Sequence, residues 1–434
     1  MRKSIWLAGL LSLLCFSSLA AAVDKKTAAD IDREIEKVRL DMAKVRRFIH
    51  MNPQTANRES ETAKIISSRL AALGLDIKTG VARTGVVALL RGEHSGPTVA
   101  LRAGMDAVPV QETAEVDFKS LNPGIMHATG NDLHAAIVLG AASVLTEMKD
   151  RIKGNVKFLF QPASEGAPPD EDGGAALMIK EGVLENPAVG AVFSLHAWPE
   201  AVGQVYVASG DFLASSDSFE IVIRGRSALG SQPQAGVDAI VIAAQVVTAI
   251  QSIISRNIDP TEPALLTVGK IEGGSKADLI ADRVRIEGIV RTLSDANRKK
   301  IARLLDTTVK GVVHAMGGEC TVSVAEDIPP VSNHPLLLDA LMGTLNEAAG
   351  ERNVNTIKPQ MMADDFGFFS QKASSLYLLL GVRNPRLPAA SAALYNPAFN
   401  PDERAIAVGI RILCHLVLDC LEQQSRLAKG GSGA

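Results

Sequence analysis

A chain of 434 residues is long for a single core, so two separately packed domains are the default expectation. With 47% apolar and 21% charged residues the balance is globular rather than disordered, and a net charge of −3 at pH 7 gives no reason to expect a nucleic-acid partner.

The first residues, Met1-Arg2-Lys3, an apolar run from Ile5 to Leu14 and the small residues up to Ala22, have the order of a secretory signal cleaved after Ala22. The expected location is therefore outside the cytoplasm, periplasmic or secreted. That run is too short to cross a membrane, and no other stretch approaches the necessary length, so no span is expected after signal removal. Losing Arg2 and Lys3 leaves 43 basic against 48 acidic side chains, a net charge of −5. Cys15 leaves with the signal; Cys320, Cys414 and Cys420 are an odd set and read as buried, unpaired packing residues.

Apolar residues at helical spacing among charges predict a surface helix from Ala28 to Ile49, stopped by Pro53, with His50 read as a structural histidine at its end. A second helix spans Glu61 to Leu73. Val86 to Leu90 and Thr98 to Leu101 are short apolar runs with the form of strands buried inside a sheet, and the second leads to Arg102-Ala103-Gly104-Met105-Asp106. Asp106 alone could be a turn carboxylate. The stretch His127-Ala128-Thr129-Gly130-Asn131-Asp132-Leu133-His134 follows, before a small-residue helix from Ala135 to Met148. Two histidines and an aspartate within eight residues have the look of a metal site, although histidines flanking a turn more often hold loops together.

A strand from Asn155 to Phe160 delivers Gln161-Pro162-Ala163-Ser164-Glu165-Gly166, and another from Ala191 to Leu195 ends in His196. Beyond Gly210 the pattern changes: alternation at Phe219 to Ile223, a helix from Gly236 to Ile254, and strands at Ala264 to Val268 and Val284 to Val290. The expected organisation is a signal at 1–22, a discontinuous α/β domain at 23–212 and 327–428, an inserted α+β lid at 215–324, and a flexible tail at 429–434.

The pattern Gly-Ile-Met-His-Ala-x-Gly-x-Asp-x-His ending at His134 resembles the zinc amidohydrolases. That family includes hippurate hydrolases, N-acyl-amino-acid amidohydrolases and plant auxin-conjugate hydrolases, a branch of the aminoacylase-carboxypeptidase superfamily. The resemblance extends over essentially the whole mature chain, through Arg46-Arg47-x-x-His50-x-x-Pro53, Asp106, Glu165, Gly173-Gly174-Ala175, His196, Asp365-Phe366 and Pro397-x-Phe399. It implies a mixed-sheet, zinc-peptidase-like α/β fold with an inserted lid through which a homodimer forms. It also implies roles for single positions. Metal ligands would fall at 129, 131, 165, 196 and 395, where this chain has Thr129, Asn131, Glu165, His196 and Tyr395. The general base would fall at Ser164 and the lid's oxyanion donor at Leu229. Arg291 matches an arginine used on the substrate carboxylate, and Gly104 stands where an aspartate is usual.

Only Glu165 and His196 keep ligand chemistry, since hydroxyl and amide groups bind zinc poorly. The expectation is accordingly no cofactor, or at most one weakly bound zinc with Asp106 or Asp132 as a third ligand. Ser164 cannot take a proton near neutral pH unless another group activates it. Leu229 cannot donate a hydrogen bond, and losing one such donor typically costs roughly 10² to 10³ in turnover. Function belongs to the site rather than the scaffold, so whether the chain is an enzyme stays open between three readings. In the first it is a pseudoenzyme binding an N-acyl amino acid or small peptide, with Arg291 on its carboxylate and His127, Asp132 and His134 lining the cleft. In the second it is an amide hydrolase with a single metal or a metal-independent mechanism. In the third it is a structural partner of an active paralogue.

Overall fold

The computed structural model describes residues 23–386 and 392–430; the signal expected at 1–22 and the end of the expected tail lie outside them. Helices α1 (Lys25–Met51) and α2 (Ser60–Ala72) precede strands β1 (Asp76–Val81), β2 (Gly85–Arg91) and β3 (His94–Gly104). Then come α3 (Asn131–Glu147), β4 (Lys153–Gln161), α4 (Gly174–Lys180), β5 (Val189–Ala201), β6 (Val205–Val207) and β7 (Gly210–Leu213). A second group follows: β8 (Ser216–Arg224), α5 (Ala239–Asn257), β9 (Ala264–Gly273), β10 (Arg283–Thr292), α6 (Asp295–Ala315) and β11 (Glu319–Ile328). The chain closes with β12 (Val331–Asn333), α7 (Pro335–Ala349), β13 (Val354–Thr356), α8 (Gly367–Ser370), β14 (Ser374–Arg383) and α9 (Arg404–Gly430).

The main sheet is mixed and eight-stranded, in the order β1-β2-β4-β3-β5-β14-β6-β13. At its centre β4, β3, β5 and β14 run parallel, each buried on both faces. Successive residues of a strand point to opposite faces, and the two cores divide accordingly. Leu101 and Ala103 of β3, Phe193 and Leu195 of β5 and Leu376 and Leu378 of β14 join the core under α1, α3, α7 and α9. Ala100, Val192, Tyr377 and Leu379 face the opposite core with Phe366 and Phe369. Burial of Cys414 and Cys420 in α9 agrees with the sequence reading, whereas Cys320 is only half-buried; all three are unpaired.

β8 to β11 form a separate antiparallel sheet, ordered β11-β8-β10-β9, with its own core against α5 and α6. Here the sequence reading of membrane spans needs correction. α5 is 19 residues long and apolar enough to cross a membrane by length and composition. Its Ile242, Val246, Ile250 and Ile253 recur at three- and four-residue spacing and pack on this sheet's core.

Candidate active site

The carboxyl ends of parallel strands are where open α/β sheets bind ligands, and three such ends converge here. Beyond β3, Asp106 is fully buried and gathers the loop that leaves β4. Its carboxylate accepts the backbone N–H of Ser164 and of Glu165, both at 2.9 Å, and the Ser164 hydroxyl at 2.6 Å. Burial, followed by the charge of Glu165, pushes the Asp106 carboxyl up to about 7 despite those donors.

Asn131 begins α3, after Gly130 at a φ of 91°. A Cβ at Gly130 would be strained there and would sit 2.9 Å from that of Ala197. The Asn131 amide nitrogen is 2.9 Å from the Asp106 carbonyl oxygen, 3.4 Å from Asp106 Oδ1, 3.1 Å from Ser164 Oγ and 3.0 Å from Glu165 Oε1, four acceptors for its two protons. Three residues on, on the same helix face, His134 Nδ1 lies 3.1 Å from Asn131 Oδ1, and its Nε2 accepts the Ala197 N–H at 2.7 Å. The proton is therefore on Nδ1, and burial keeps this ring neutral. Gly104 explains itself in the same place: a Cβ there would lie 2.3 Å from Ser164 Oγ and 2.7 Å from Asn131 Oδ1. The substituted positions Gly104, Asn131 and Ser164 fit one another.

Tyr395 completes the set. Its hydroxyl donates to Glu165 Oε2 at 2.7 Å from a ring that is 58% exposed, on a backbone with φ of 61°. Burial raises the Glu165 carboxyl, and the Tyr395 hydrogen bond offsets part of the rise. Thr129 Oγ1, buried beside Glu165, acts on that carboxylate as a second donor. His196, within β5 and five residues short of its end, donates from Nδ1 to the Ala197 carbonyl at 2.8 Å, and its ring centre is 4.8 Å from that of His134. Burial lowers its basicity as well.

Other expected site residues lie elsewhere. Asp132 points away from Asn131, into an ion pair with Arg46 Nε at 2.7 Å and a contact with His50 Nδ1 at 2.9 Å. Burial opposes its charge, yet Arg46 and His50 hold its carboxyl well below the usual range. The far nitrogen of His50 meets Glu112 at 3.2 Å. This is the structural role read for His50, and it removes Asp132 as a third metal ligand. Both nitrogens of His127 are buried without a partner, and burial pushes the ring down to about 4. Leu229 is 54% exposed and bridges to Leu279 within the second group of strands. Arg291 on β10 donates to the Met361 carbonyl at 2.7 Å, on the loop that leads to Asp364.

Sequence reading missed the neighbouring support. Arg102 is buried on β3 and paired with Asp365 at 2.7 Å and Asp364 at 3.4 Å; Tyr377 donates to Asp364 at 2.6 Å. A charged residue inside an otherwise apolar strand was the available signal.

Residues 100–419 match the model of peptidase family M20/M25/M40. The chain is 36% identical to thermostable carboxypeptidase 2 of Saccharolobus solfataricus, over 82% of this chain and 89% of that one. It is 35% identical to N-acetyl-L-cysteine deacetylase of Bacillus subtilis, over 83% and 84%. Among solved structures, the Bacillus subtilis YXEP protein, a dinuclear metal-binding peptidase from the M20 family, superposes with a TM-score of 0.76 at 28% identity, covering 89% of this chain and 99% of that one.

That last likeness overturns the expectation of no cofactor or at most one weakly bound zinc: a metal cofactor is what this relationship implies. The donor chemistry of the side chains can be tested against it. Among the described residues no three of His, Cys, Asp or Glu are grouped to hold an ion. Glu165 takes hydrogen bonds from Asn131 and Tyr395 on its two oxygens, and Asn131 points its N–H₂, not a lone pair, at both carboxylates. In this arrangement the side chains do not fit a pair of metal ions.

Proposed function

The chain belongs to peptidase family M20/M25/M40, with the amidohydrolase and peptidase character of its relatives, and from that premise we propose that its cleft binds an N-acyl amino acid or small peptide while the hydrolytic step is largely lost. One observation carries this reading. The side chain at the base position, Ser164, donates its only proton to Asp106 and accepts from Asn131, so it is engaged as a hydrogen-bonded filler. A serine so placed does not abstract a proton from water. Leu229 adds nothing polar. General acid–base catalysis is worth typically 10² to 10⁴ and one oxyanion donor roughly 10² to 10³.

The cleft's other features support retained binding. Arg291 offers a planar guanidinium with a single bond to a backbone carbonyl and a buried Nε that has no partner, so donors are left for a ligand carboxylate. Calorimetric titration with N-acyl amino acids and dipeptides, run beside turnover assays on the same compounds in metal-supplemented buffer, tests both halves of the proposal. Binding without turnover is the expected result.

A further inference from the structure

We infer that the Asp106–Glu165 pair receives a cationic nitrogen, so that the preferred ligand carries a free amino group instead of an acylated one; this deepens the reading of the cleft as a peptide-type binding site and rests on it. The two carboxylates share the Asn131 amide as a donor, and neither forms an ion pair among the described residues. Their neighbours' positive charges are spent elsewhere: Arg102 on Asp364 and Asp365, Arg46 on Asp132. Buried charges are retained when they are paired, and every group now touching these two carboxylates is neutral, whether serine, threonine, tyrosine, amide or backbone N–H.

Two further polar atoms make the lining selective. Thr129 Oγ1 is buried beside the Glu165 carboxylate and acts on it as a donor, which leaves the hydroxyl's lone pairs over. His196 is only 7% exposed, and with its Nδ1 proton on the Ala197 carbonyl its Nε2 presents a lone pair. With its proton turned to Glu165 the Thr129 hydroxyl joins the carboxylates and the imidazole nitrogen as an acceptor, which suits the three N–H donors of an ammonium and disfavours an acyl carbonyl oxygen. Tyr395, with its ring largely in solvent and its hydroxyl on Glu165, is the group an arriving ammonium displaces.

The test is calorimetry on the full mature chain with glycyl-leucine, N-acetyl-glycyl-leucine and zinc chloride as three separate titrants. The free dipeptide is expected to bind at least about tenfold tighter than its acetylated form, the effect of one charge-assisted hydrogen bond, and Glu165→Gln is expected to erase that preference. Equal or tighter binding of the acetylated peptide overturns the inference and leaves the cleft reading intact; binding of neither peptide removes both. Zinc uptake that Glu165→Gln abolishes and that blocks the dipeptide reassigns the pair to a metal and also overturns it. If Glu165→Gln fails to fold, the comparison of the two peptides on the unmodified protein decides alone.

Discussion

At the residue scale the site depends on mutual fit, and that makes it testable by pairs. Gly104→Ala places a Cβ against Ser164 Oγ and Asn131 Oδ1, and such overpacking costs typically about 1–3 kcal/mol. In a double-mutant cycle measured by urea denaturation, adding Asn131→Ala should make the alanine at 104 markedly cheaper; strict additivity would show that the two do not pack together. His127 offers a second test. Its ring is held at about 4 in the fold against about 6.5 when unfolded. Between those values the unfolded chain binds the proton and the native one does not, so stability falls as pH drops from 6.5 to 4. Wild type should lose on the order of 3 kcal/mol more than His127→Gln over that window; parallel curves would mean the ring is not held neutral. The family resemblance pointed to Asp106, Asn131, Ser164, Glu165 and Tyr395, and these do come together. Side-chain direction was not legible. Asp132 turns to Arg46 because α3 starts at Asn131, placing consecutive residues on different helix faces.

At the scale of elements, long periodic segments were readable and short ones were not. The helix expected over Ala28 to Ile49 is α1, Lys25–Met51, its cap residue Asn52 standing just before Pro53. β6, β12 and β13 have three residues each and form by pairing with distant strands, so no period marks them in the sequence. Their registers are set by tertiary contacts. The join between α1 and α3 has one feature of particular weight, the buried Arg46–Asp132–His50–Glu112 chain. Removing one member of a buried pair leaves the other uncompensated, a loss of about 3–5 kcal/mol. Arg46→Met should lower the denaturation free energy by that amount. A loss below about 1 kcal/mol would show that water or a neighbour satisfies Asp132.

For the whole molecule, the main sheet is that of a chain in peptidase family M20/M25/M40, and on the function proposed above the residues at the carboxyl ends of its strands would set this chain apart from its relatives' chemistry. The account therefore rests on Ser164 being engaged with Asp106 in place of a base. The most direct measurement is kcat/KM on a panel of N-acyl amino acids and dipeptides, with zinc supplied, beside the Bacillus subtilis N-acetyl-L-cysteine deacetylase. Loss of the base alone predicts values lower by a factor on the order of 10² to 10⁴ on every substrate; turnover within about tenfold of the deacetylase on any of them would contradict it.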